Sequence, residues 1–143
     1  MISTMYHLLE AVGFKHPLHP AMVHVPMGMA IGGFVFALIF YLFEKKEFLQ
    51  TAYYCVCLGV AGIFPTVLFG FTDWQYRFDG EWGFLIVMKM IFAVCLTTSF
   101  LLAIKFTRED KENNHLKILI IYAICLLFAT GLGFMGGQLE YGG

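Results

Sequence analysis

The hydropathy of this chain alternates between four long apolar runs and short polar connections. The runs extend over residues 25–43, 48–72, 82–104 and 118–139, and the only charged residue inside them is Lys89. Each run has about the 20 residues that a helix needs to cross the hydrocarbon core of a bilayer. The connections carry the charges, in the sequences EKKE, DWQYRFDGE and KFTREDKENNHLK. The pattern predicts transmembrane helices over about 21–43, 48–72, 82–105 and 116–138.

The connections between these spans are short, so consecutive helices must return beside one another. We therefore expect a single domain over residues 1–143, an all-α integral membrane protein built as an antiparallel four-helix bundle. The residues before the first span lack the basic start and apolar centre of a cleavable signal peptide. Apolar residues recur there on one helical face, which predicts a short N-terminal amphipathic helix in the membrane interface. They are Met5, Leu8, Leu9 and Val12.

Composition supports a membrane protein and excludes other classes. Hydrophobic residues make up 59% of the chain and charged residues 13%, with a mean hydropathy of +0.76. A soluble domain has about a quarter of its residues charged, so the solvent predicted here is lipid. The net charge of −1 comes without a basic tract, which argues against a nucleic-acid partner. The four cysteines form no C-x-x-C motif, and we expect them to be apolar fillers.

The basic residues of the loops predict an orientation. We call the side of the membrane where the first helix begins the His24 side, and the opposite side the His115 side. The His115 side has six lysines and arginines and the His24 side two. The six are Lys45, Lys46, Lys105, Arg108, Lys111 and Lys117, and the two are Lys15 and Arg77. The positive-inside tendency then predicts a bacterial inner-membrane protein with the His115 side in the cytoplasm and both termini in the periplasm.

The segment HPLHPAMVHVP, at residues 16–26, opens the first helix with three histidines. Pro26 falls inside the helix, where it should cause a kink and leave the carbonyl of Met22 without its usual donor. His24 then projects from the start of the helix, with Gly28 and Gly32 one and two turns above it. His115 lies a bilayer thickness away and is expected to be a solvated loop residue.

The glycines near His24 allow two interpretations. Small residues commonly let transmembrane helices pack closely. They would also leave a slot beside His24 for a flat cofactor. Glycine is frequent at the same depth elsewhere, at Gly70 in the second helix and at Gly131, Gly133, Gly136 and Gly137 in the fourth. The sequence alone leaves both interpretations open.

Imidazoles at a membrane surface can bind a transition metal or haem iron, relay protons, or form hydrogen bonds to a quinone carbonyl. The candidate cofactor-binding residues are His16, His19, His24, Gly28, Gly32 and Met135. Among them, His19 and His24 are candidate haem-iron ligands, and Met135 is a candidate second axial ligand. The spacing of the histidines matches no strong zinc signature.

A second group of polar residues is predicted on the His24 side. Its members are Asp73, Lys89, Glu140 and Tyr141. A charge at membrane depth is costly unless it is partnered. We therefore expect Lys89 to lie near a carboxylate or near carbonyls at the helix ends, in one polar cluster with His24 and Asp73.

Three motifs, taken in order, resemble a bacterial membrane family known as domain of unknown function 2231. They are HPLHPAMVHVPMG at the first helix, GFTDW after the second and TGLGFMGGQLEYGG at the end, and the resemblance spans residues 14–143. It maps the family's positions onto nine residues: His19, Pro20, His24, Pro26, Gly70, Asp73, Gly136, Gly137 and Tyr141. Many relatives have further histidines where this chain has Lys89 and Met135 (or Phe134).

Members of that family are often fused to, or encoded beside, cytochrome c or Rieske-type domains. The resemblance thus implies a non-catalytic membrane subunit of a respiratory or electron-transfer complex, helping to bind haem b or quinone at the periplasmic leaflet. The implied partners are lipid and other membrane or periplasmic redox subunits such as c-type cytochromes. Two alternatives remain, a purely structural accessory or assembly subunit and a small metal-handling or transport protein.

Overall fold

The computed structural model of this protein describes residues 18–77, 82–109 and 114–141. Side chains are described over 22–72, 74–75, 82–109 and 114–138. The amphipathic helix predicted near the N-terminus lies outside the described residues. Within them the chain forms four helices, α1 (Leu18–Phe43), α2 (Lys46–Arg77), α3 (Phe84–Arg108) and α4 (His115–Tyr141).

The four helices confirm the predicted all-α bundle, and each is long and apolar enough to cross a membrane. Their ends differ from the predicted spans by up to five residues. The largest difference is in α2, which continues to Arg77 although its apolar run stops at Thr72. A helix does not end where its side chains become polar, because its backbone hydrogen bonds continue into the interface. Hydropathy therefore locates the edge of the hydrocarbon better than the end of the helix.

α1 and α2 form a tightly packed hairpin. The connection is only Glu44 and Lys45, and Glu44 adopts a positive φ of 56° while its N–H donates to the carbonyl of Phe40. A Cβ placed on Gly62, in the middle of α2, would lie 2.8 Å from Cγ1 of Val25, in the first third of α1. At the other end of the hairpin the rings of Phe36 and Phe48 stack at 6.3 Å. The first third of α1 thus packs against the middle of α2, and the last third of α1 packs against the start of α2.

α3 and α4 form a second hairpin. Phe92 packs edge-on against Phe128 at 5.6 Å and lies so close to Gly131 that a Cβ there would be 2.6 Å from the ring. Toward the other end, the hydroxyls of Thr107 and Tyr122 are 3.2 Å apart. The Nζ of Lys117 lies 4.1 Å from the ring centroid of Phe106.

The two hairpins close into a ring of helices. α1 packs against α4 through Met27 at Gly133 and Tyr122 at Gly33, and α2 touches α3 where Phe100 meets Gly59. Among the described residues, α1 does not pack against α3, nor α2 against α4. The shared core is small and apolar. It comprises Ala30, Ala37, Phe40, Ala52, Val56, Leu96, Phe100, Ala103, Ile118, Tyr122, Cys125 and Ala129.

His115 differs from its expected place in a solvated loop. It is the first residue of α4, is half-buried, and packs edge-on against Phe40 with 4.7 Å between the ring centroids. The preceding residue explains this position, because the Asn114 side-chain oxygen accepts the N–H of Lys117 and caps the helix. The helix therefore starts one residue earlier than the predicted span of 116–138.

Candidate functional site

His24 lies in the second turn of α1, and its side chain is exposed on the surface of the bundle. One turn further along, Gly28 has open space where a side chain would be, since no atom lies within 4 Å of a Cβ built there. An imidazole and an uncovered stretch of backbone thus adjoin on one face of α1. This pair is the part of the predicted site that the structure brings together.

The remaining glycines of the predicted slot receive side chains from neighbouring helices. A Cβ on Gly32 would lie 3.5 Å from Sγ of Cys55, and one on Gly133 would lie 2.6 Å from Cε of Met27. Gly131 is filled by the Phe92 ring in the same way. Gly28 and Gly137, in contrast, have no described atom within 4 Å of a Cβ built on them. Close packing therefore accounts for Gly32, Gly131 and Gly133, and an open face remains at Gly28.

Met135 lies on a different face of the bundle from His24. It follows Gly131 by one turn of α4, and Gly131 is in contact with Phe92 of α3. Residues four apart share one side of a helix, so Met135 belongs to the side of α4 that packs on α3. α1 and α3 do not pack against each other in the described part. The structure therefore does not pair Met135 with His24 across a common space.

Lys89 is half-buried and turns toward α4. Its Nζ lies 3.9 Å from the position of a Cβ on Gly136, so the absence of a side chain at Gly136 leaves room for the ammonium group. The side chains of Asp73, Glu140 and Tyr141 lie outside the described residues. The polar cluster that joins them to Lys89 and His24 therefore remains a prediction.

An aromatic group at the His24 side was not expected from the motif analysis. Trp74 lies near the end of α2, and its ring centroid is 5.8 Å from that of Phe71. The ring centroid of Trp82, two residues before α3 begins, is 5.0 Å from that of Trp74. Tryptophan is enriched where a membrane protein meets the lipid headgroups. The signal in the sequence is a Trp on each side of the polar 73–81 connection, and it marks the level of the interface.

The outer face of α2 carries an apolar groove of about 500 Å³. It is lined by Val60, Ile63, Phe64, Val67, Leu68, Phe71 and Thr72, which recur at helical spacing. The groove lies within the membrane span of α2, where lipid is the surrounding medium. It contains none of the predicted site residues.

The metal hypothesis gains no support from the described side chains. Among them no three His, Cys, Asp or Glu residues come close enough together to hold a metal ion. His16 and the side chain of His19 lie outside the described residues, so their part in a site stays a prediction.

Comparison with known proteins agrees with the helical architecture. Residues 15–143 match the family described as predicted membrane protein, DUF2231. The chain has no significant match among curated proteins or among solved structures. Because the match covers all four helices, from just before α1 to the last residue, this chain belongs to the DUF2231 family of predicted membrane proteins.

Proposed function

We propose that this protein is a membrane subunit of a respiratory or other electron-transfer complex, and that its His24 face helps to bind a quinone or haem b. The observation that carries the proposal is the exposed His24 imidazole beside the open backbone of Gly28. A neutral imidazole can donate a hydrogen bond to a quinone carbonyl. Glycine lets a flat ring approach the helix backbone without meeting a Cβ.

The placement of the residues favours quinone over a haem ligated twice by this chain. A six-coordinate haem needs ligands on opposite faces of the ring, and Met135 lies on the side of α4 that packs on α3. His24 would then supply one axial ligand only, and a quinone needs no second ligand. Bound there, the quinone would supply two-electron redox chemistry, while the chain would orient the ring through His24.

The test is cofactor content in the complex purified from the native host. Replacing His24 by leucine, which cannot form a hydrogen bond, should lower the amount of extractable quinone per protein roughly tenfold. That factor corresponds to about 1.4 kcal/mol, near the net value of one hydrogen bond. Spectra of the oxidised and dithionite-reduced complex test for haem in the same samples.

His115→Leu is the matched control, because it makes the same change at the other end of the bundle. It should leave cofactor content unchanged. A second variant, Gly28→Val, places a side chain in the open space and should lower cofactor content without unfolding the protein. Normal cofactor content and electron transfer in His24→Leu and Gly28→Val would contradict the proposal.

A purely structural accessory subunit is the second candidate function. It is favoured by the glycines that side chains of this same chain fill, since those glycines need no cofactor to explain them. Under this function the His24 variants would keep their cofactor but assemble poorly with partner subunits. The two candidates therefore give opposite results in the same experiment.

The proposed location is the bacterial inner membrane, with the His24 side in the periplasm. Reporter fusions at Glu47, in the first turn of α2, and at Asn113, in the polar sequence between the third and fourth apolar runs, should be active only with a cytoplasmic reporter. The reason is the concentration of loop lysines and arginines on that side. Alkaline phosphatase activity at either position would show that the orientation is reversed.

A further inference from the structure

A proline inside α1 removes a backbone hydrogen-bond donor close to His24. Pro26 has no N–H, so the carbonyl of Met22 loses the donor that a regular helix would provide. Pro26 is buried in the bundle, and the side of α1 on which it lies is covered by α2 near Gly62. A carbonyl on this covered side of the helix is destabilising unless it accepts a hydrogen bond. Another group of the protein has to donate to it.

The donor comes from α2. The hydroxyl oxygen of Thr66 lies 3.1 Å from the carbonyl oxygen of Met22 and 2.8 Å from the carbonyl oxygen of Gly62 in its own helix. The approach is possible because Gly62 has no side chain, and a Cβ there would lie 2.8 Å from Val25 and 3.4 Å from Cδ of Pro26. One hydroxyl thus joins a carbonyl of each helix.

We infer that Thr66 is a positioning residue for His24. The turn of α1 from Met22 to Pro26 lacks its backbone hydrogen bond, and the hydrogen bond from Thr66 holds this turn in place. His24 lies midway between Met22, which accepts the hydrogen bond, and Pro26, which causes the need for it. The direction of the imidazole then depends on α2 as well as on α1. This inference does not require a cofactor and holds whatever His24 binds.

Thr98 of α3 shows how Thr66 differs from an ordinary transmembrane threonine. The hydroxyl of Thr98 donates at 2.8 Å to the carbonyl of Val94 one turn earlier, and its side chain is exposed to lipid. Both threonines therefore bond back to their own helix, but only the hydroxyl of Thr66 also bonds to α1. Thr98→Val is accordingly the matched control for Thr66→Val.

The experiment measures the imidazole nitrogen resonances of His24 at one pH, in ¹⁵N-histidine-labelled protein in nanodiscs without added ligand. The His24 signal is identified by its loss in His24→Gln. Thr66→Val should shift the His24 signal, whereas Thr66→Ser should restore the wild-type signal. Thr98→Val should leave it unchanged. Since no quinone or haem is added, failure here is distinct from failure of the proposed cofactor role.

A second background tests the cause. Pro26→Ala restores an N–H that can bond to the Met22 carbonyl within α1, so Thr66 should become dispensable. Adding Thr66→Val to Pro26→Ala should then shift the His24 signal less than half as far as it does with Pro26 present. An equal shift in both backgrounds, or no shift in folded Thr66→Val, would overturn the inference. If Thr66→Val alone does not fold, Pro26→Ala must restore folding, and failure to do so would also overturn it.

Discussion

Replacing Tyr122 by alanine is expected to lower the free energy of unfolding by about 3 kcal/mol, at the lower end of the range for large aromatic residues in soluble cores. Tyr122 is fully buried, packs against Gly33 of α1 and meets the hydroxyl of Thr107 of α3. It thus joins three helices. The lower end of the range applies because the lost packing is not accompanied by transfer from water, the unfolded helices remaining in lipid.

Two further variants serve as controls. One measures the contribution of the Tyr122 hydroxyl alone, and the other measures the loss of an aromatic ring that is not buried. Tyr122→Phe removes only the hydroxyl contact with Thr107 and should cost about 0.5–1.5 kcal/mol. Phe64→Ala truncates an aromatic residue that is 78% exposed to lipid and should change stability by less than about 0.5 kcal/mol. Reversible unfolding in mixed detergent micelles gives all three values. Equal losses for Tyr122→Ala and Phe64→Ala would show that the core is not where the structure places it.

Replacing Gly59 by alanine should cost about 1–3 kcal/mol, the usual range for overpacking a core. The new Cβ would lie 2.7 Å from Cε2 of Phe100 and 3.3 Å from Cβ of Met29. Phe100 is fully buried, so its ring cannot swing away, and α2 and α3 must move apart at their main point of contact. The same unfolding measurement tests this value.

Two other glycines provide the controls for Gly59. An alanine at Gly133 would meet the terminal methyl of Met27, which can rotate away at little cost. An alanine at Gly28 would meet nothing, and should be neutral or stabilise the helix by up to about 1 kcal/mol, since alanine is the better helix former. The ranking Gly59, then Gly133, then Gly28 is the expected result. A Gly28→Ala protein as unstable as Gly59→Ala would contradict it.

The amino-acid pattern was sufficient to predict the four helices, because lipid as a solvent demands long apolar runs with polar ends. It also indicated that Pro26 would leave the Met22 carbonyl without its backbone hydrogen-bond donor. It could not name Thr66 as the donor, since hydropathy does not tell which helices become neighbours or in what register. That information comes from a hydrogen bond between two residues that are 44 positions apart in the chain.

The candidate site was predictable only in part, and for a related reason. Two glycines spaced one helical turn apart give the same sequence pattern whether they face a neighbouring helix or open space. The structure separates Gly32, which Cys55 covers, from Gly28, which has no described atom within 4 Å of a Cβ built on it. The exposure of His24 and the position of Met135 on the side of α4 toward α3 likewise follow from rotations of α1 and α4 about their axes. Those rotations are set by packing.

The two-residue connection after Phe43 has a consequence for biosynthesis. α1 and α2 already fit each other through Gly62 and Gly59, and they share the Thr66 hydrogen bond, before any residue of α3 is needed. The ribosome finishes this hairpin first, so the insertion machinery can release it into the bilayer as a paired unit. The second hairpin then docks onto the surface of the first. There Tyr122 packs against Gly33, and Phe100 packs against Gly59. Once this hairpin has formed, Pro26 is covered by α2 and the Met22 carbonyl has its hydrogen-bond donor, before the second hairpin is inserted.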